Sequence, residues 1–183
     1  MINTILFDFD GTVINTNDVV TDAWQHTYKH YLGHEMPPEH IEKSFGEPLL
    51  VSMEREFPGV PVEESASIYR NRQAKMAEEL VRLFPGIVEM LQAVKEAGYK
   101  TCVVTSRTRE TTLYYMNQFN ITHYFDELVS CDDTTIHKPN PEPALMGLDK
   151  VNAKADEAVM VGDSPYDMLC ANNAGIKTVL VEW

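Results

Sequence analysis

Five short apolar runs punctuate the chain, at residues 4–9, 100–105, 127–130, 158–161 and 178–181, and their β-branched and aromatic content suits a pleated surface. Segments with helical periodicity lie between most of them. Ile87, Leu91, Val94 and Ala97 recur at helical spacing ahead of Gly98, a residue suited to the position just past a helix end. Residues 111–119 and 141–151 likewise have helix length and period. Strand and helix in alternation predict an α/β fold, a doubly wound parallel sheet of Rossmann-like type, with chemistry at the strand C-termini.

Residues 15–83 break the alternation, because they hold several helical patterns and no convincing strand. Val20, Ala23, Trp24, Thr27, Tyr28, Tyr31 and Leu32 form one face of a helix ending near Gly33, and a second long helix is expected over 68–83. The chain therefore reads as a core of residues 1–14 and 84–183 interrupted by a helical insertion at 15–83. Phe45-Gly46-Glu47-Pro48-Leu49 is a Gly-x-Pro break between helices of the insertion, either a plain turn or a loop that meets substrate.

Charge and composition narrow the function. A net charge of −13 over 183 residues supplies no basic stripe for a phosphate backbone, which excludes nucleic acid as a partner. No apolar stretch approaches the length of a membrane span, so no membrane partner and a cytoplasmic location are expected. Cys102, Cys131 and Cys170 lack metal-site spacing and read as buried reduced thiols. His26, His30 and His34 are four residues apart, but Gly33 should end their helix before the third, and solvated histidines are expected rather than a zinc face.

Asp8-Phe9-Asp10-Gly11-Thr12, at the end of the first run, carries the chemistry. Two carboxylates two residues apart share one side of an extended chain and can converge on one cation. One can attack phosphorus while the other protonates a leaving group and then activates water. Their mutual repulsion calls for a hard divalent ion such as Mg2+, and Gly11 permits a tight turn against a ligand.

Three later segments supply what such a site lacks. Thr105-Ser106 closes the second run and offers a hydroxyl and amides to phosphoryl oxygens, or else an ordinary helix cap. Lys138 sits in the stiff loop His137-Lys138-Pro139-Asn140-Pro141, where a point charge could neutralise nucleophile and phosphate. Asp163 ends the fourth run and Asp167 follows one helical turn later, so that both can face one metal, or simply cap a helix. Arg107 and Arg109 are further sources of positive charge that either touch substrate or are solvated; the solvated reading is favoured, since a helix N-terminus is a poor place for a cation unless a bound anion offsets it.

In this order the four segments resemble the haloacid dehalogenase superfamily of phosphohydrolases, and the resemblance spans the chain. It implies that Asp8 is the nucleophile and Asp10 the general acid and base, the latter also touching the metal through its carbonyl. Thr105, Ser106 and Lys138, with Gly11 and Thr12, would bind the phosphoryl group. Asp163 and Asp167 would hold Mg2+ together with Asp8 and Asp10, and the insertion would be a C1-type cap that closes over a small phosphorylated substrate. Dehalogenation is disfavoured because Asp10 is present.

Within the superfamily the chain resembles the PpaX-type inorganic pyrophosphatases, related to phosphoglycolate phosphatases, through Ile2-Asn3-Thr4-Ile5-Leu6-Phe7-Asp8-Phe9-Asp10-Gly11-Thr12, Asn15-Thr16-Asn17, Val104-Thr105, Cys131-Asp132-Asp133, His137 to Pro143, Met160-Val161-Gly162-Asp163 with Asp167, and Asn173-Ala174-Gly175. Pyrophosphate is then the expected substrate. Phosphoglycolate or another small phosphomonoester is the alternative, and a non-catalytic protein binding a phosphorylated ligand is a second. The sequence departs from the family at Val181-Glu182-Trp183, where relatives continue: either the chain is trimmed, the true terminus lies elsewhere, or a sheet face that relatives cover is exposed, which would favour self-association or reduced stability.

Overall fold

The computed structural model describes residues 1–45 and 47–183, in two compact units. Met1–Asn15 and Leu83–Trp183 form one; Thr16–Arg82 form the other. In chain order the elements are β1 (Thr4–Phe7), β2 (Ile14–Asn15), α1 (Asn17–Leu32), α2 (Pro38–Glu42), α3 (Leu49–Glu56), α4 (Val62–Leu80) and β3 (Arg82–Leu83). They continue with α5 (Ile87–Glu96), β4 (Lys100–Val104), α6 (Arg109–Gln118), β5 (Glu127–Val129), α7 (Glu142–Lys150), β6 (Ala158–Gly162), α8 (Pro165–Asn173) and β7 (Lys177–Leu180).

The first unit is a five-stranded, all-parallel sheet in the order β5-β4-β1-β6-β7, the α/β architecture expected from the alternation. β1 is central, and Phe7 is level with Val103 of β4 and Val161 of β6. That register brings the C-terminal ends of the three middle strands together, so the residues just beyond them, Asp8, Thr105 and Asp163, emerge at one edge. Leu6, Val104, Val129, Ala144, Leu148, Met160 and Cys170 are among the side chains packed into the core there. α7 approaches closely at Gly147, where a β-carbon would stand 2.9 Å from Val104 Cγ2. Val179 and Leu180 of β7 are exposed.

The second unit is helical. Its core is aromatic, with Trp24 stacked on Tyr28 at 5.5 Å and near Tyr69 at 5.3 Å, and Phe57 against Tyr28 at 5.3 Å. α1 ends at Gly33, whose φ of 77° a side chain would resist. Its buried face holds Ala23, Trp24, Thr27 and Tyr28 as expected, but Leu32 at its end is exposed. Asp22 of α1 receives both Nε and Nη2 of Arg72 from α4, at 2.6 and 2.8 Å.

Several expectations shift. The long helix read over 68–83 runs Val62–Leu80 instead, because Pro61 suits a helix start and Glu63 and Glu64 favour its first turn. Thr105-Ser106 does not cap α6; the N-cap is Thr108. In the Phe45-Gly46-Glu47-Pro48-Leu49 segment, Gly46 lies outside the described residues, and Leu49 already begins α3. Cys102 and Cys170 are buried, whereas Cys131 is only half-buried, since it opens a short surface turn rather than lying in a strand. His26, His30 and His34 are exposed. Among the described residues, no helix is long and apolar enough to cross a membrane.

Candidate active site

The site begins where β1 stops. The Asp8 amide still donates to the Val161 carbonyl at 2.8 Å, continuing the parallel ladder by one residue and fixing the direction of a carboxylate that is 6% exposed. The chain then folds back sharply. Val13 and Ile14 amides donate to the Phe9 carbonyl, each at 2.9 Å, and the Gly11 amide donates to Ile14 at 2.8 Å. Gly11 is required twice over: its φ is +75°, and a β-carbon there would lie 2.2 Å from Asp163 Oδ2. The turn thus admits the Asp163 carboxylate because position 11 has no side chain.

Asp163 follows β6 and opens the segment into α8. Ser164 and Asp167 form a reciprocal cap: Asp167 Oδ2 accepts from the Ser164 amide and hydroxyl at 3.1 and 2.6 Å, and Ser164 Oγ accepts from the Asp167 amide at 3.3 Å. Capping and site-building are therefore the same act here. While Oδ2 is tied to the cap, Asp167 Oδ1 faces inward. Gly162 makes room for it, since a β-carbon there would meet Asp167 Cβ at 2.5 Å.

Lys138 joins the two ends. It is 7% exposed, and its Nζ donates to Asp8 Oδ1 and to Asp167 Oδ1, both at 2.6 Å. Its loop is held by the Asn173 side-chain amide donating to the Pro139 carbonyl at 3.1 Å and by the Glu142 amide donating to Asn140 Oδ1 at 2.9 Å. The Thr12 hydroxyl, buried, donates to Asp163 Oδ1 at 3.3 Å. Asp8, Asp163 and Asp167 each offer a carboxylate oxygen within 4.8 Å of the others, the one cluster of metal-ligating side chains among the described residues.

Three carboxylates around one ammonium leave two negative charges in excess when all are ionised. Burial, then repulsion from Asp167, raises the Asp8 carboxyl well above its usual range, and the Lys138 ammonium offsets this only in part. Asp163 is pushed up to about 6, again by burial and then by Asp167. Burial alone would lower the Lys138 ammonium, but attraction to Asp8 and Asp167 outweighs it and raises the group. Oxygen donors, high negative charge and close spacing are the donor set of a hard divalent cation, and two positive charges would balance the excess.

Asp10 stands outside this cluster through its carboxylate. Both oxygens are taken by Arg107, whose Nε donates to Oδ2 at 2.9 Å and whose Nη2 donates to Oδ1 at 2.5 Å. The solvated reading of Arg107 is therefore wrong: the side chain is 16% exposed and lies over the Tyr115 ring at 5.1 Å. A carboxylate supplies the compensating anion that the helix-terminus argument lacked. Arg109 is not free in solvent either, because it pairs with Asp133 at 2.6 Å and donates to the Leu128 carbonyl at 3.1 Å, tying β5 to the turn after it. Thr105 is buried, and its Oγ1 accepts from the Arg107 amide at 3.1 Å; Ser106 is exposed.

The sequence leaves Arg107 between a substrate contact and solvent, and its pairing with Asp10 lies outside any motif. Arg107 lies beyond β4 much as Asp10 lies beyond β1, and adjacency of those strands was the available signal. Trp183 gave no signal. Its indole N–H donates to the Gly11 carbonyl at 2.8 Å while the ring stacks on Phe84 at 4.2 Å, clamping the turn from outside.

Comparison with known proteins agrees with this geometry. Residues 5–181 match the family described as haloacid dehalogenase-like hydrolase. Pyrophosphatase PpaX of Halalkalibacterium halodurans is 37% identical, the match covering 98% of this chain and 83% of that protein. Its counterpart in Bacillus mycoides is 36% identical, over 100% of this chain and 84% of that protein. Among solved structures, a haloacid dehalogenase-like family hydrolase from Streptococcus pneumoniae superposes with a TM-score of 0.86 at 25% identity, covering 100% of this chain and 85% of that one. A provisionally named phosphoglycolate phosphatase from Lactobacillus plantarum also gives 0.86 at 25% identity, over 97% and 86%. The chain belongs to the haloacid dehalogenase-like hydrolases.

Proposed function

We propose that this hydrolase splits inorganic pyrophosphate into two phosphates, with Mg2+ and through an aspartyl-phosphate on Asp8. The observation that carries the reading is the buried group of Asp8, Asp163 and Asp167 around Lys138, with its two uncompensated negative charges. Asp8, Asp163 and Asp167, with the Asp10 carbonyl, would hold the ion; when bound it would offset phosphate charge and screen the carboxylates from one another.

An Asp8 oxygen attacks phosphorus, the bond to the leaving oxygen breaks, and Asp10, protonated and with an oxygen released from Arg107, gives its proton to that leaving oxygen. Asp10 then takes a proton from water as the water oxygen attacks the aspartyl-phosphate, releasing phosphate and restoring the Asp8 carboxylate. Lys138 holds Asp8 in place and neutralises charge on the transferring group, and the Thr105 hydroxyl, Ser106, Gly11 and Thr12 line its oxygens. The helical unit would act as a cap that excludes water and selects the substrate.

Near full-length likeness to the pyrophosphatases at 36–37% identity supports pyrophosphate. The Lactobacillus plantarum likeness favours a second reading, hydrolysis of phosphoglycolate or a similar monoester by the same residues. Phosphate release with Mg2+ from pyrophosphate, phosphoglycolate and sugar and nucleoside phosphates separates the two. Preference for pyrophosphate, abolished by chelator and by Asp8→Asn, is expected; preference for a monoester overturns the substrate assignment. Binding of these compounds without turnover of any of them would mark a non-catalytic protein.

A further inference from the structure

We propose that Arg107 is a specificity residue that reads the charge of the leaving group, so that the site favours substrates whose leaving group is itself a phosphate. The inference rests on Asp8 as nucleophile and Asp10 as the group facing the leaving oxygen.

Lys138 is committed to Asp8 and Asp167, on the side where the transferring phosphoryl group is attacked. The opposite side of the reaction belongs to Asp10, and the cation beside Asp10 is Arg107. Its Nε and Nη2 present two parallel N–H bonds to the two carboxylate oxygens, and two oxygens of a phosphate offer the same spacing. An incoming phosphate leaving group would compete for that edge of the fork, exchanging one anion for another at little desolvation cost. A neutral alcohol has nothing to offer it.

The fork is also held in place before substrate arrives. The Arg107 amide donates to Thr105 Oγ1 at 3.1 Å, its carbonyl accepts from the Cys131 amide at 3.1 Å, and its guanidinium rests over Tyr115. Backbone anchored to Thr105 just before it and to the segment at Cys131, with the head group on an aromatic face, leaves few rotamers to lose on binding.

A purely structural role, in which Arg107 only orients Asp10, would cost an alkyl phosphate, whose alkoxide leaving group most needs the Asp10 proton, at least as much as pyrophosphate. The discriminating quantity is the ratio of kcat/KM for pyrophosphate to kcat/KM for ethyl phosphate, whose leaving group departs as a neutral alcohol, in the full chain with Mg2+. Arg107→Gln is expected to lower that ratio about 30-fold, in line with loss of a charged bidentate contact, and Arg107→Lys to restore part of it. An unchanged ratio in Arg107→Gln, whatever the absolute rates, overturns the proposal.

A binding measurement needs no turnover. In an Asp8→Asn background, calorimetric affinity for methylenediphosphonate relative to orthophosphate should fall at least about tenfold on adding Arg107→Gln; equal weakening of both ligands, or of neither, overturns it. If the wild type cleaves ethyl phosphate and not pyrophosphate, the pyrophosphatase reading fails while the diphosphonate ratio still decides the role of Arg107.

Discussion

Asp163→Asn should make the metal-free protein more stable at neutral pH. In the folded chain burial and Asp167 push the Asp163 carboxyl from 3.8 to about 6. The folded state therefore binds more protons than the unfolded state between these values, and stability falls as pH rises through the interval. Stability contributed by protonated Asp163 is full below about 3.8 and gone above about 6. A gap of roughly two units, at about 1.36 kcal/mol each, is worth about 3 kcal/mol. Asparagine carries no charge at either pH and its carbonyl can still accept from Thr12. At about 2–4 °C per kcal/mol for a chain of this size, Tm should rise by about 6–12 °C at pH 7.5 in chelator, and by little at pH 4. Scanning calorimetry at both pH values measures this, and the transition is that of the unit formed by Met1–Asn15 and Leu83–Trp183. A variant no more stable than wild type at pH 7.5, or one stabilised equally at pH 4, would refute the argument that the carboxylate group carries uncompensated charge.

The remaining predictions use the same site. Mg2+ should raise the Tm of the wild type at pH 7.5 and much less at pH 4.5, where Asp163 is protonated, while Asp163→Asn loses most of that response. Lys138→Met strands Asp8 and Asp167 without their ammonium; breaking such a buried pair costs about 3–5 kcal/mol, partly relieved by proton uptake, so urea denaturation should show a deficit that widens from pH 5 to pH 8. Gly11→Ala forces a side chain into a φ of +75° and against Asp163, so activity and Mg2+ affinity should fall by more than a Tm loss of a few degrees explains. Trp183→Phe keeps the stack on Phe84 but removes the indole donor to the Gly11 carbonyl, and should cost about 1 kcal/mol in chemical denaturation.

β1, β4 and β6 were legible because a parallel strand covered on both faces is a nearly unbroken apolar run, whereas the edge strand β7, largely exposed, showed through its β-branched content alone. Asp163 and Asp167 were readable for a related reason: a strand end and a helix start four residues apart leave few ways to aim two carboxylates. What stayed hidden depends on contacts across long separations. Arg107 reaches Asp10 97 residues away, and Trp183 reaches Gly11 across 172. No local periodicity encodes such pairs; they follow from strand order, with β4 beside β1 and β6 on its other side. Helix ends in the insertion moved for local reasons instead, chiefly Pro61 ahead of α4.

The most direct test is to quench the reaction of wild-type protein, Mg2+ and 32P-labelled pyrophosphate in acid within the first turnover and map the label by proteolysis. The account predicts acid-stable, hydroxylamine-labile label on the peptide that contains Asp8, and none in Asp8→Asn. Rapid phosphate release with no label on the protein, or turnover retained by Asp8→Asn, would contradict it.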